Sequence, residues 1–154
     1  MSDIKSKDAI VIERIVDAPQ DLVWKLWTEP EYFQNWYGPT GFSIPVAEMD
    51  VQVGGKRRIC MESPDGNMKM WTIGEFTVVD ATDKLAYTES ISDEAGNIMT
   101  PEGMPATTEV TVILETVDNQ TKMTMTHAGV PADSPGKSGW EMAFDKLDDL
   151  VKTL

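Results

Sequence analysis

Residues 121–127, TKMTMTH, alternate in a period of two, which puts Met123, Met125 and His127 on one face of a strand and Lys122, Thr124 and Thr126 on the other. The same period, or a short β-branched run, predicts strands over 9–16, 44–53, 56–62, 69–80, 84–92, 107–117 and 121–128. SPDGN and VDNQT fit tight hairpin turns, and VGGKR fits a glycine bend. Connections this short between successive strands make the neighbours antiparallel.

Elsewhere the period changes to that of a helix. Val23, Trp24, Leu26 and Trp27 in QDLVWKLW fall at helical spacing, with Pro19 suited to the first turn and Asp17 able to supply an acceptor before it. Thr28 and Glu31 in TEPE read as a capping box that starts a second short helix carrying Tyr32, Phe33 and Trp36. YGPTGF breaks it. Near the end, Trp140, Ala143, Phe144, Leu147, Val151 and Leu154 recur at steps of three and four, with acidic residues on the opposite side. A helix over 137–154 would be about 27 Å long, enough to lie across a sheet. Residues 92–107 are too polar and too rich in Gly and Pro for a core and read as a long loop.

The order of elements, one strand, two short helices, six strands and a long helix, is an α+β architecture with a curved antiparallel sheet wrapped around the C-terminal helix. A chain of 154 residues fits one domain over 8–154, after a tail over 1–7. The single cysteine, Cys60, excludes an internal disulfide and fits a reducing cytoplasm, and the charged N-terminus has no apolar signal region. A net charge of −13 disfavours nucleic acid and anionic membrane surfaces as partners.

Alternation also assigns faces. Arg57, Ile59 and Met61 share one, as do Leu85, Tyr87 and Glu89, and Val110, Val112 and Leu114; together with Met123, Met125 and His127 they form the concave side. A slip of one residue at Gly54-Gly55 would instead turn Arg57 outward. Methionines in such positions either pack as core or line a space that must fit varied ligands. The only histidine is either a satisfied strand-end residue or a group that orients a ligand at a cavity mouth. One His and one Cys do not build a common zinc site, and the chain has no nucleophile elbow, P-loop or dinucleotide fingerprint. No catalytic residue, metal or cofactor is therefore assigned, and whether the protein is an enzyme stays open.

The ordered series DAPQDLVWKLWTEPEYFQNWYGPTGF, GGKRRICMESPDG, GEFTVVDATDKLAYTE, TKMTMTHAGV and GWEMAFDKLDDL resembles the activator of heat-shock-protein-90 ATPase homologue family. That family belongs to the START-like, birch-pollen-allergen-like helix-grip superfamily. The resemblance implies a β-α-α-β6-α helix-grip fold with a cavity between sheet and final helix, often used for apolar ligands. Arg57 and Glu89 stand where the family commonly carries apolar or aromatic residues, so a purely apolar cavity is not expected. The resulting expectation is a small, largely hydrophobic ligand held by Trp36, Ile59, Met61, Tyr87, Val112, Met123, Met125, Trp140, Phe144 and Leu147, with Arg57, Glu89 and His127 orienting its polar end. The alternatives are a module that regulates a chaperone ATPase, or an enzyme acting on a hydrophobic substrate in the same cavity. Both a monomer and a homodimer are compatible with the sequence.

Overall fold

A computed structural model describes residues 9–100 and 105–154; the tail over 1–7 lies outside the described residues. The chain opens with β1 (Ala9–Val16), followed by α1 (Gln20–Thr28) and α2 (Pro30–Phe33). Six strands come next: β2 (Ser43–Met49), β3 (Lys56–Glu62), β4 (Lys69–Asp80), β5 (Lys84–Ser92), β6 (Thr108–Val117) and β7 (Gln120–Ala128). α3 (Pro135–Val151) closes the fold. The sheet order is β1-β7-β6-β5-β4-β3-β2 and every pair is antiparallel. The two short helices thus carry the chain from one edge of the sheet to the other, and a meander brings it back. This is the helix-grip arrangement that the element order implies.

Hairpin chemistry fixes the register. Asp118 and Asn119 both take positive φ, the conformation that a two-residue turn between β6 and β7 requires. At Gly55 a Cβ would overlap the Asp50 carbonyl, so only glycine closes the turn after β2. That turn ends β2 at Met49, four residues earlier than the alternation suggests, because Asp50, Gln52 and Gly55 fold back through local hydrogen bonds. No slip follows: Arg57 pairs with Met49 and Gly74 and is buried on the concave side.

The helix starts differ from their expected caps. Pro19 is the N-cap of α1 rather than its first helical residue, which leaves Asp17 too far back to cap it. Asp17 accepts from Gln120 Nε2 instead, at 3.4 Å. Thr28 is the last residue of α1, and Glu29 is the N-cap of α2, so the capping box does not form. The Thr28 hydroxyl donates to the Trp24 carbonyl at 2.9 Å. α3 begins two residues earlier than periodicity indicates, with Pro135 in its first turn, and ends at Val151; Leu154 lies beyond it and is exposed.

The core sits between the concave face and α3. Trp27 meets Trp36, Trp140 and Phe144 with ring centroids 4.8, 6.1 and 6.1 Å apart. Their polar atoms are satisfied inside: Trp36 Nε1–H donates to the Leu26 carbonyl at 2.8 Å, and Trp27 Nε1–H to Met123 Sδ at 3.2 Å. On the outside, Arg14 of β1 ties α3 to the sheet through Asp145 (2.8 Å) and Asp148 (3.0 Å).

Candidate functional site

α3 does not seal against the sheet along its whole length. Pro135, Gly136, Gly139, Trp140 and Ala143 of its N-terminal part form one wall of an open cleft of about 380 Å³. Gly139 leaves room on that wall: a Cβ built there would find its nearest neighbour, Pro39 Cγ, 4.0 Å away. The opposite walls are Met61, Met70, Glu89 and Ile91 from β3, β4 and β5, His127 and Val130 from the end of β7, and Tyr37, Gly38 and Pro39 after α2. Met61 pairs directly with Met70 across β3 and β4, which puts both side chains on one face. Gly38 has φ near +88°, and a Cβ there would come within 2.9 Å of Met61 Sδ. The loop is held down by Lys146 of α3, whose Nζ donates to the carbonyls of Tyr37 and Pro39 at 3.2 Å each. Burial lowers the pKa of that amine. A smaller recess of about 70 Å³ shares Glu89, Ile91, His127 and Val130 and adds Pro105, Ala106 and Thr108.

The polar base of the cleft is a connected network. Trp140 Nε1–H can only donate, and it donates to His127 Nδ1 at 3.1 Å. The neutral ring therefore carries its proton on Nε2, which donates to Thr108 Oγ1 at 2.8 Å; that hydroxyl in turn donates to the Glu89 carbonyl at 3.2 Å. Burial lowers the His127 pKa; the Glu89 carboxylate partly opposes this and the Arg57 cation reinforces it. Glu89 Oε2 accepts from the Tyr37 hydroxyl at 3.3 Å and lies 3.6 Å from Arg57 Nη1. Burial, and then the Glu89 charge, push the Tyr37 pKa well above its ordinary value.

Arg57 itself lies deeper, with its guanidinium 3.9 Å from the Tyr87 ring centroid and 5.1 Å from that of Phe33. Burial works against this cation, but Tyr87, Tyr37 and Glu89 outweigh it and raise its pKa. Among the described residues neither Arg57 Nη2 nor Tyr87 Oη has a hydrogen-bond partner; the aromatic faces take that place for Arg57.

Of the residues that the sequence points to, the cleft brings together Met61, Glu89, His127 and Trp140. Trp36, Arg57, Ile59, Tyr87, Val112, Met123, Met125, Phe144 and Leu147 are buried in the packed core behind it. An enclosed space walled by Met123, Met125 and Phe144 is thus not what forms: all three are fully buried, because the tryptophan cluster fills the interior between them and α1. Tyr37, Pro39, Gly139 and Val130 escaped the sequence reading since they lie in irregular segments or lack a side chain. Met70 and Ile91 were within reach, because alternation from Met61 and Glu89 leads to them. Among the described residues no group of three His, Cys, Asp or Glu side chains is placed to hold a metal. No described helix is long and apolar enough to cross a membrane.

The sequence profile of the activator of Hsp90 ATPase homolog 1-like protein family matches residues 17–152. The chain belongs to that family. Several bacterial proteins are among the similar solved structures. A protein of Nitrosomonas europaea has 23% identity over 97% of both chains and a TM-score of 0.80. One of Arthrobacter aurescens has 26% identity over 100% of this chain and 91% of its own, also with a TM-score of 0.80. An Hsp90-activator-homolog-type protein of Silicibacter pomeroyi has 16% identity over 94% of this chain and 98% of its own, with a TM-score of 0.78. At these identities the likeness is one of fold. No functionally curated protein matches the chain.

Proposed function

We propose that the protein binds a small, largely apolar molecule in the cleft between the N-terminal turns of α3 and the sheet. The observation that carries this reading is an apolar opening of about 380 Å³, walled by Met61, Met70, Ile91, Val130 and Trp140, in a protein whose remaining concave face is close-packed. Methionine walls adapt to varied shapes. Glu89 and His127 then form the polar end of the site, while Arg57 supports Glu89 from behind. Binding is favoured over catalysis because both nitrogens of His127 are already engaged, which leaves no free lone pair for a general base. A cytoplasmic location is part of the proposal, in keeping with the unpaired Cys60.

A second reading, a chaperone partner, draws on the family's name and on the exposed Met68, Ile98 and Met99 of the strand ends beyond β3 and β5. The two separate in one NMR titration. Neutral N-phenyl-1-naphthylamine should shift the amides of Met61, Ile91, Gly139 and Trp140 saturably, with the outer face unmoved. Shifts confined to Met68, Ile98 and Met99, or no shifts at all, would refute the cleft as the binding site.

A further inference from the structure

The carboxylate at the base of the cleft is engaged on one side only. Glu89 Oε2 takes the Tyr37 hydroxyl and faces Arg57. His127 Nε2 lies 3.7 Å from Oε1, but the proton on that nitrogen is directed to Thr108. Among the described residues no donor hydrogen-bonds Oε1, although Glu89 borders both the main cleft and the smaller recess. We propose that Glu89 Oε1 is the recognition point of the cleft and selects apolar ligands bearing one neutral hydrogen-bond donor: an alcohol, a phenol or an amide N–H. The proposal rests on the binding reading above and adds the class of ligand.

Charge decides against the ionic alternatives. A ligand carboxylate would meet the Glu89 carboxylate across an apolar cleft, where little water screens the repulsion. A ligand ammonium would have to share one carboxylate with Arg57 and shed its hydration among methionine and tryptophan side chains. A plain hydrocarbon would cut Oε1 off from water and return nothing, and a buried acceptor without a donor is costly. A neutral donor satisfies Oε1 and brings no charge with it. The site then discriminates in the direction in which polar sites are strongest, by rejecting the ligand that lacks the matching group.

The test compares 1-naphthol, naphthalene, 1-naphthoate and 1-naphthylmethylammonium against the wild-type protein at neutral pH by isothermal titration. The expected order is 1-naphthol at least about tenfold tighter than naphthalene, with both ions weakest. Replacing Arg57→Met together with Glu89→Leu removes both charges at once and should bring the ratio of naphthol to naphthalene affinity to about one. If that variant does not fold, the wild type still decides: the side-chain carboxyl ¹³C resonance of Glu89 should move with 1-naphthol and stay fixed with naphthalene. Equal affinity for 1-naphthol and naphthalene, a preference for either ion, or a fixed Glu89 resonance overturns the proposal and leaves the cleft reading standing. Binding of none of the four overturns both.

Discussion

Burial favours the neutral form of His127, and this has a consequence for pH. A second proton would have to go on Nδ1, where Trp140 Nε1–H already points. Because burial lowers the folded pKa, the unfolded chain takes up this proton first as pH falls past about 6.5. Below that pH the unfolded state binds more protons than the folded one, so stability is lost as pH falls, and the loss levels off once the folded pKa is passed. Urea midpoints should therefore decline from about pH 7.5 to about 5.5, and the decline should be shallower in His127→Gln. Equal slopes would mean that the imidazole is charged, or solvated, in the fold. At this scale the sequence was legible in part. The period of two at TKMTMTH placed His127 on the inner face correctly, but its partners are Thr108, 19 residues away, and Trp140 on another element. Nothing local in the chain encodes those meetings.

The elements themselves follow from periodicity, and their ends do not. α3 presents Trp140, Ala143, Phe144, Leu147 and Val151 to the sheet, the stripe that steps of three and four imply. It stops at Val151, the last residue of the stripe that is buried, and Leu154 beyond it is exposed. The failed capping box has a similar origin, since the Thr28 hydroxyl found a carbonyl on its own helix before it could reach forward. Two substitutions probe the packing. Leu147→Ala should lower stability by about 2–5 kcal/mol, because a fully buried side chain leaves a cavity at the junction of helix and sheet. Met125→Phe should cost about 1–3 kcal/mol, since no space adjoins that side chain. A thermal melt unchanged in both would mean that the interior is looser than the geometry indicates.

The whole molecule depends on how α3 lies over the sheet. Arg14 ties down its C-terminal half and Trp140 and Phe144 pack it on the aromatic core, while Gly139 leaves one side of its N-terminal turns open to the cleft. That division placed the cleft near Met61 and Trp140 rather than beside Met123 and Met125. The chain gives little notice of it, because an opening made by missing side chains leaves no periodic signal. It also offers a way to test the cleft alone, since Gly139 can be filled without touching the core. Gly139→Leu adds a side chain whose Cβ meets only Pro39 Cγ, at an ordinary 4.0 Å, on the wall of the cleft, and removes a glycine from a helix interior, which should leave stability unchanged or raise it by about 0.5–1 kcal/mol. If the cleft is the binding site, wild type binds N-phenyl-1-naphthylamine saturably, and Gly139→Leu melts no lower yet has lost that binding. A Gly139→Leu protein that binds the probe as tightly as wild type would contradict that reading.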